Sequence, residues 1–454
     1  MAKTKTQYVC SECGALTAQW IGQCNQCQGW NTLSPHIAKK PVAERLAGYA
    51  GEVAGDVLTL SEVSTEKQPR CETKLTELDR VLGGGLVPGS VILIGGDPGV
   101  GKSTLILQAL AAVQEDHPGL YVSGEESLQQ IAMRAERLQC ASANVRLLAE
   151  TQVERILQHA SQQKPKLLVI DSVQTLFTDL LSSAPGSVGQ VRESTALLIR
   201  YAKQHDMSLI LIGHVTKEGA LAGPRVLEHM VDAVLYLEGE RGARLRLLRA
   251  VKNRFGAVNE LGVFAMTERG LRPVSNPSAI FLSRDAAALP GSVAMATWEG
   301  TRPLLVEVQA LVDESALANP RRLAIGLEQN RLAMLLAVLH RHGGVASYNQ
   351  DVFLNVVGGV RVLETAADLA ITLAIVSSLN NRAIASDWLA FGEIGLAGEI
   401  RPVQSGQERL FEAQKQGFRV AIVPAGNAPK KPIEGLRVHA VKHVQEALTC
   451  LRDA

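Results

Sequence analysis

The sequence predicts an α/β protein with a phosphate-binding core, and two observations carry this prediction. Apolar segments alternate with helical stretches between residues 58 and 273, which is the pattern of a parallel sheet covered by helices. Within this region, a glycine-rich loop separates the apolar run Val91–Ile94 from a helix-like segment that starts at Leu105. The chain has 454 residues, too many for one hydrophobic core, so we expect two or three domains.

A small metal-binding module is expected before this core. Cys10 and Cys13 form one C-x₂-C pair, Cys24 and Cys27 form a second, and ten residues separate the two pairs. Thiolates in such pairs hold a tetrahedral Zn²⁺, whereas two disulfides, the alternative, are unusual in a reducing compartment. We therefore predict a zinc ribbon over residues 1–33 that folds around its metal, and a linker over residues 34–57.

The glycine-rich loop predicts a nucleotide site. Gly96, Gly101, Lys102 and Ser103 match the spacing of a P-loop, G-x-x-x-x-G-K-[ST]. The amides of such a loop bind phosphates, its lysine reaches the β- and γ-phosphates, and its serine hydroxyl holds Mg²⁺. A glycine-rich turn before an ordinary helix is the alternative. The predicted nucleotide-binding residues are Gly96, Asp97, Pro98, Gly99, Val100, Gly101, Lys102, Ser103 and Thr104.

Two acidic residues at strand ends are candidates for the chemistry. Asp171 ends the apolar run Leu167–Ile170 and is predicted to hold Mg²⁺, although an aspartate in this place can also cap a turn. Glu125 follows a run that we expect to lie beside the P-loop strand, and it is predicted to polarise the attacking water. Glu126 lies three residues after Ser123, as in a capping box, where its side chain would bond to the start of a helix. This competing use favours Glu125 as the base, but the choice between the two glutamates stays open.

Basic residues at strand ends are candidates for phosphate or DNA contacts. His214 closes an apolar strand, and Lys217 and Arg225 lie in the loop after it, where α/β proteins bind ligands. Another strand ends with two cations around an asparagine, which indicates a phosphate contact or an arginine offered to a neighbouring subunit's nucleotide site. A structural role is the alternative for His214, and solvated surface charge is the alternative for the other candidates. The candidates at this second strand end are Lys252, Asn253, Arg254, Phe255 and Gly256.

Together these motifs resemble the bacterial RadA (Sms) family of DNA repair proteins over nearly the whole chain. The resemblance rests on the four-cysteine ribbon, on the P-loop and the segment Leu78–Leu86 before it, and on the stretches Ser123–Ser127, Gly213–Lys217 and Lys252–Gly256. It implies a RecA-type core that hydrolyses ATP with Mg²⁺. It also implies that Lys252 and Arg254 couple hydrolysis to DNA movement.

The resemblance further implies a homo-hexameric ring around DNA that drives branch migration of recombination intermediates, in repair of breaks and stalled forks. Single-stranded and branched DNA are the expected partners, together with recombinase or replicative helicase proteins. Two other functions remain open, a nucleotide-controlled assembly switch without translocation and an ATP-dependent protease. Fast DNA-stimulated turnover would separate a motor from a switch.

A second α/β domain is expected over residues 286–454, and it is similar to the proteolytic domain of Lon protease. The stretch Gly392–Val403 is similar to the one that precedes the catalytic lysine of Lon. The serine position of Lon falls near Ala366 and the lysine position near Gln407, so nucleophile and base are both missing. A rearranged pair of Thr365 and Ser405 is the alternative. We predict a proteolytically inactive scaffold with strands at 304–312 and 420–423 and helices at 330–341 and 366–379.

Composition excludes some classes of protein. The formal net charge is +1, so no general basic field attracts nucleic acid, and local contacts must do so. Aromatic residues make up only 4% of the chain, so we expect DNA binding to depend on backbone phosphates and on salt. No apolar run approaches the roughly 20 residues that cross a bilayer, and the start lacks the apolar stretch of a signal peptide. We expect a cytoplasmic, nucleoid-associated protein without membrane contact.

Overall fold

The structure is a computed structural model that describes residues 7–10, 15–17, 19–36, 59, 69–141, 143–213, 224–239, 244–282, 288–317 and 319–452. The chain divides into two compact units, Met1–Gly55 and Asp56–Ala454. Most of the predicted linker, residues 34–57, lies outside the described residues. The domain boundaries that the sequence suggests therefore stay predictions.

The first unit contains a small antiparallel sheet. Its strand β1 (Gln7–Cys10) pairs with β2 (Leu16–Thr17) on one side and with β3 (Leu33–His36) on the other. The buried cluster of this unit consists of Cys10, Cys24 and Leu33. So few apolar side chains bury little surface, which is why metal ligation is expected to supply the stability.

The second unit begins with a nine-stranded sheet. Its strands are β4 (Val91–Gly96), β5 (Gly119–Ser123), β6 (Arg146–Ala149), β7 (Leu167–Asp171), β8 (Ser208–Ile212), β9 (Ala233–Glu238), β10 (Leu245–Asn253), β11 (Leu261–Thr267) and β12 (Gly270–Pro273). Their order across the sheet is β12-β11-β10-β9-β4-β8-β7-β5-β6. In this order, the strands β9, β4, β8, β7, β5 and β6 run parallel to one another, and β10, β11 and β12 extend the sheet by antiparallel pairing. The predicted α/β core is confirmed.

Helices cover both faces of this sheet. They are α1 (Thr76–Leu82), α2 (Lys102–Val113), α3 (Leu128–Arg137), α4 (Val153–Gln163), α5 (Val188–Gln204) and α6 (Pro224–Glu228), with α7 (Pro277–Phe281) after the last strand. Ile92 and Ile94 of β4 pack in one cluster with residues of α1 and α2, whereas Val91 and Leu93 pack in another with residues of α4 and α5. Because successive side chains point to opposite faces and both faces are covered, every residue of β4 is buried.

The C-terminal half of the second unit contains a mixed seven-stranded sheet. Its strands are β13 (Ser292–Glu299), β14 (Arg302–Glu314), β15 (Arg322–Ile325), β16 (Gln350–Val356), β17 (Trp388–Ala390), β20 (Val420–Pro424) and β21 (Arg437–Val441), and a hairpin of β18 (Glu393–Ile394) and β19 (Ile400–Arg401) stands apart. The order is β15-β16-β14-β13-β17-β20-β21, and only β14 runs against the others.

Four helices accompany the second sheet, α8 (Gln329–Val338), α9 (Asp368–Leu379), α10 (Gly406–Lys415) and α11 (Val444–Arg452). The predicted strands and helices of this half are confirmed with small shifts at their ends. The helix expected from Ala366 begins at Asp368, because a 3₁₀ turn over Thr365–Ala367 precedes it. Among the described residues, no helix is long and apolar enough to cross a membrane.

The two sheets of the second unit share a buried cluster. Leu247 of β10 and Val263 of β11 lie in the same apolar cluster as Val306 of β14. An ion pair adds to this junction, since the partly buried Arg302 of β14 donates to both carboxylate oxygens of the buried Glu77 in α1 at 2.8 and 3.2 Å. The first sheet and the second are therefore joined by both apolar and ionic contacts.

Candidate nucleotide and zinc sites

The P-loop connects β4 to α2 at the carboxyl edge of the first sheet. Gly96 and Gly101 have positive φ angles of 148° and 116°. A Cβ atom on Gly96 would lie 2.4 Å from the carbonyl oxygen of Leu237 on β9, so only glycine lets the two strands pass so closely. Since α2 begins at Lys102 directly after the loop, its first amides face the space that an anion would fill.

Lys102 is the buried cation of this loop, with an exposed fraction of 4%. Its Nζ donates to the carbonyl oxygens of Gly96 at 2.8 Å and Asp97 at 3.0 Å. Burial lowers the pKa of this amine, while the negative charges of Asp171, Glu125 and Asp97 oppose the shift. The ammonium therefore lies where carboxylates from two other strands act on it, and where it can meet the charge of a bound phosphate.

Asp171 is the last residue of β7 and is buried. Its Oδ2 accepts a hydrogen bond from the hydroxyl of Tyr121 on the neighbouring strand β5. Burial and the charge of Asp171 raise the pKa of Tyr121 well above its ordinary value, so that the hydroxyl stays a donor. A carboxylate at this edge, together with the hydroxyl-bearing Ser103 in the first turn of α2, provides the oxygen ligands that Mg²⁺ prefers. The residues present thus fit the predicted metal.

Glu125 leaves the carboxyl end of β5, where the hydroxyl of Ser172 donates to its Oε1. The expectation that β5 lies beside β4 is wrong, because β8 and β7 separate them. The two acids nevertheless meet at one edge of the sheet, since Ser123 pairs in register with Asp171. The strand order places the candidate base beside the candidate metal ligand, and both act on the P-loop lysine.

Glu126 has a different partner. Its Oε1 accepts from the guanidinium of Arg134 in α3. The hydroxyl of Ser123 accepts from the backbone amide of Glu126 at 3.0 Å, but no helix starts there. The alternative that Glu126 starts the helix is therefore wrong, since α3 is capped by Ser127, whose hydroxyl accepts from the backbone amide of Gln130 at 3.3 Å. The chain continues past the sheet edge before it turns into the helix. The ion pair engages Glu126 and supports the choice of its neighbour as the base.

The segment Lys252–Gly256 lies toward the other end of the sheet. Asn253 of β10 pairs with Ala233 of β9, and Ala233 pairs in turn with Ile92 near the start of β4. The P-loop follows the opposite end of β4, about 13 Å further along the strand at about 3.3 Å per residue. This segment therefore starts far from the P-loop of its own subunit.

The two cations of this segment have different surroundings. Lys252 donates to the carbonyl oxygens of Glu228 at 2.6 Å and Val231 at 2.7 Å, and burial together with the charge of Arg254 lowers its pKa. Arg254 has a side chain that is 61% exposed, and it contacts Asp232 at 3.1 Å. Lys252 thus faces the body of the protein, whereas Arg254 reaches the surface.

The same segment packs against the glycine turn that ends α1. The side-chain Nδ2 of Asn253 donates to the carbonyl oxygen of Val81 at 3.0 Å. A Cβ atom on Gly83, which has a φ of 84°, would lie 2.8 Å from the carbonyl oxygen of Phe255 and 2.9 Å from the Cα of Gly256. Two motifs that are far apart in the sequence therefore form one structural unit.

Four predicted site residues are not placed. Cys13, His214 and Lys217 lie outside the described residues, and so does the side chain of Arg225, whose backbone belongs to α6. The metal-binding role of the cysteine and the DNA or coupling roles of the other three stay predictions.

The remaining three ribbon cysteines form a metal-binding geometry. The Sγ atoms of Cys10, Cys24 and Cys27 all lie within 4.8 Å of one another, and those of Cys10 and Cys27 are 3.5 Å apart. Zinc–sulfur bonds of about 2.3 Å place the sulfurs of a tetrahedral site about 3.8 Å apart, so these positions fit Zn²⁺. If the four cysteines formed two disulfides, one of the disulfides would join two of these three. No disulfide joins cysteines of the described part, which contradicts that alternative.

Replacing Cys24 with serine is expected to remove zinc from the protein and to unfold the ribbon, because metal ligation stabilises a module with so small a core. Zinc measured by atomic absorption should fall from about one ion per chain to near zero, and proteases should cleave the ribbon first. The matched control is Cys450→Ser in α11, which should keep its zinc. A Cys24→Ser protein that retains zinc would contradict the assignment.

The two positions that correspond to the Lon dyad lie just before and at the start of two helices. Ala366 is buried in the turn before α9, and Gln407 is exposed at the start of α10. Of the rearranged pair, Thr365 donates to Glu393 at 2.6 Å, and Ser405 lies at the N-cap of α10 with a φ of 56°. The dyad positions thus provide neither the hydroxyl nor the amine that an acyl-enzyme mechanism needs.

An ion pair with a fully buried arginine lies next to these positions. Arg409 of α10 is 1% exposed, and its two terminal nitrogens donate to the two carboxylate oxygens of Glu364 at 2.7 Å each. The guanidinium also donates to the carbonyl oxygens of Ala296 at 2.5 Å and Gln404 at 3.0 Å, and it lies 5.7 Å from the ring centre of Phe391. This arginine ties α10 to β13 and to the turn before α9.

Sequence reasoning missed three polar residues that bind the side chains of predicted site residues. Tyr121 and Ser172 hold the two acidic side chains, and Asp232 accepts from Lys203 at 3.0 Å as well as from Arg254. A signal existed only for Tyr121, since a hydroxyl inside an apolar strand must find a buried partner. That signal does not say which partner it is.

Three family models match parts of the chain. An AAA domain matches residues 59–220, a rubredoxin metal binding domain matches residues 8–35, and the subunit ChlI of Mg-chelatase matches residues 332–427. The first covers the P-loop with both candidate acids, and the second covers the four cysteines. The third covers most of the region around the Lon-like positions.

Relatives from several bacteria match over nearly their full length. The chain is 63% identical to the DNA repair protein RadA of Pseudomonas aeruginosa, over 99% of this chain and 100% of the relative. It is 58% identical to the DNA repair protein RadA of Escherichia coli, over 100% of both chains. For the DNA repair protein RadA of Bacillus subtilis the identity is 46%, over 99% of both chains.

Proposed function

Because this chain belongs to the RadA family of DNA repair proteins, we propose that it is a DNA-dependent ATPase that drives branch migration and processing of recombination intermediates. The family gives it a role in DNA repair, and its AAA domain supports ATPase activity. The rubredoxin-like match and the cysteine cluster support zinc binding. Beyond DNA repair and ATP hydrolysis, we propose that the protein moves along DNA during repair of breaks and stalled forks.

The placement of Lys102, Asp171 and Glu125 at one edge of the first sheet, where β4, β7 and β5 end in register, is the observation that supports this proposal most. Lys102 would stabilise the negative charge that develops on the β- and γ-phosphates. Glu125, held by Ser172, would orient the attacking water and accept its proton. Ser103 and Asp171 would hold Mg²⁺, which neutralises phosphate charge when it is bound.

A homo-hexameric ring around DNA is the assembly that we propose. Asn253 lies level with Ile92, about 13 Å along the strand direction from Gly96, so a contact of Arg254 with ATP would have to come from a neighbouring subunit. The exposed guanidinium of Arg254 suits such a contact, and a head-to-tail ring repeats it at every site. His214, Lys217 and Arg225 are proposed to contact DNA or to couple it to hydrolysis.

The C-terminal domain is proposed to be a scaffold for this ring, without proteolytic activity. Ala366 and Gln407 stand where Lon has its serine and lysine, and Thr365 is engaged by Glu393. Incubation with casein and ATP should therefore give no cleavage. We also propose recombinase or replicative helicase proteins as partners, at the nucleoid in the cytoplasm.

The effect of single-stranded DNA on ATP hydrolysis tests the motor proposal against an assembly switch. We expect DNA to increase turnover of the purified protein severalfold. The stimulation should weaken steeply as salt rises, because contacts to backbone phosphates dominate binding. Turnover that DNA leaves unchanged would favour a switch, in which nucleotide controls assembly alone.

Replacing Arg254 with alanine is expected to leave nucleotide binding intact and to reduce DNA-stimulated hydrolysis at least about a hundredfold, because an arginine from a neighbour stabilises the transition-state charge. Binding is measured with a fluorescent ATP analogue and turnover by phosphate release. Lys252→Ala should likewise bind nucleotide and lose coupling to DNA. Full DNA-stimulated activity of either variant would remove its proposed role.

Mixed assemblies decide whether Arg254 acts across a subunit interface. Arg254→Ala subunits keep an intact P-loop, and Lys102→Ala subunits keep an intact Arg254, so each kind should be inactive alone. In a mixed ring, some interfaces combine the intact P-loop of one subunit with the intact Arg254 of its neighbour, and the nucleotide sites at these interfaces should restore part of the turnover. No recovery in assemblies shown to contain both subunits would contradict action across the interface.

A further inference from the structure

A buried tyrosine hydroxyl touches the carboxylate that is assigned to Mg²⁺. Tyr121 lies in β5, and its side chain is fully buried. It pairs in register with Val169, two residues before Asp171 on β7, so the tyrosine ring and the aspartate side chain lie on one face of the sheet. The hydroxyl donates to Oδ2 of Asp171.

The hydroxyl of Tyr121 is not needed for packing. A phenylalanine ring would bury nearly the same apolar surface in β5 without a polar atom. A buried hydroxyl adds a desolvation cost, and only a hydrogen bond offsets it. The contact to Asp171 is therefore the physical reason for a tyrosine at this position.

The same contact restricts the carboxylate. The terminal torsion of an aspartate is broad, so its two oxygens exchange places easily when nothing holds them. A hydrogen bond to the charged form is short and strong, and it fixes one oxygen in place. With Oδ2 held by Tyr121, the oxygen left for a metal is Oδ1.

We propose that Tyr121 is a positioning residue for Mg²⁺, which holds Oδ2 of Asp171 so that Oδ1 faces the ligand shell of Mg²⁺ and ATP. This inference rests on the proposed assignment of Asp171 as the magnesium ligand. A parallel contact exists at the other acid, where the hydroxyl of Ser172 holds Glu125. Both carboxylates are thus oriented before nucleotide arrives, and that order lowers the cost of binding the metal.

Nucleotide binding measured as a function of Mg²⁺ concentration tests this proposal without relying on turnover. In full-length Tyr121→Phe protein, the Mg²⁺ concentration that gives half-maximal binding of a fluorescent ATP analogue should rise about tenfold, the usual effect of removing a partner behind a metal ligand. Binding in the presence of EDTA should stay unchanged. Tyr121→Phe should have no further effect in an Asp171→Asn background, because the two residues act through one contact.

Tyr201→Phe is the matched control, since it removes a tyrosine hydroxyl from α5, where the ring stacks on His205 at 4.1 Å. Its Mg²⁺ midpoint should equal that of the unsubstituted protein. An unchanged midpoint in Tyr121→Phe overturns the proposal, and so does an equal loss of binding with and without Mg²⁺, which would mean that the hydroxyl only supports the fold. Nucleotide binding that ignores Mg²⁺ in the unsubstituted protein would instead remove the assignment of Asp171, and the proposal with it.

Discussion

ATP turnover is expected to fall at least about a hundredfold when Lys102 is replaced with alanine. The amine is buried against the P-loop carbonyls and faces three carboxylates, so no other described side chain of the loop can take over its charge. Release of phosphate from ATP, with and without single-stranded DNA, measures the effect. Zinc content should be unchanged, because the ribbon does not depend on the P-loop.

The matched control for this loss is Lys74→Ala. Lys74 is half exposed and pairs with the exposed Asp116 at 3.2 Å, a contact of little energetic weight. Its removal should leave turnover within about twofold of the unsubstituted protein, since a weak surface pair changes free energies by less than about 1 kcal/mol. Sustained hydrolysis by Lys102→Ala would refute the nucleotide site itself. A loss shared by both variants would point to a folding defect instead.

Replacing Arg409 with alanine is expected to reduce the free energy of unfolding of the full-length protein by about 2–3 kcal/mol, because a fully buried side chain is removed and Glu364, whose side chain is 27% exposed, loses its partner. The arginine also supplies hydrogen bonds to Ala296 and Gln404, which would be left without their donor. Urea unfolding followed by tryptophan fluorescence measures the change, since one of the four tryptophans, Trp298, has its ring centre 6.0 Å from this guanidinium. A variant that does not fold agrees with this expectation.

Arg401→Ala provides the comparison for this second prediction. Arg401 is 58% exposed and pairs with Glu399 at 2.5 Å at the surface of the same domain. Exposed pairs stabilise proteins by about 0–1 kcal/mol, so this variant should unfold at nearly the same urea concentration as the unsubstituted protein. Equal effects of the two substitutions would contradict the special role of the buried pair.

Motif spacing was enough to predict the local parts of this protein. A P-loop needs glycines, lysine and serine within nine residues, and a zinc ribbon needs two short cysteine pairs, so both can be read from neighbours in the chain. Short continuous apolar runs likewise predicted the buried strands, because a strand covered on both faces must be apolar throughout. The helix start that the pattern at Ser123 offered as an alternative was wrong even so, since several residues near a helix start can satisfy the same pattern.

The site itself required long-range pairing that no local pattern contains. The sequence suggested that the strand before Glu125 lies next to the P-loop strand. The strand order instead places β5 next to β7, so that Glu125 lies beside Asp171. The hydroxyl of Tyr121 was visible in the sequence, but its partner lies 50 residues further along the chain. Such contacts depend on register between strands, and register is set by packing of the whole sheet.

The sequence by itself determined the family, the nucleotide loop and the ribbon, because these depend on residues close together in the chain. Only the tertiary structure decided that Lys252 turns inward to two carbonyl oxygens while Arg254 reaches the surface toward the far end of the sheet from the P-loop. The physical reason is the direction of β10, which runs antiparallel to β9 and so carries its last residues away from the edge where the P-loop lies.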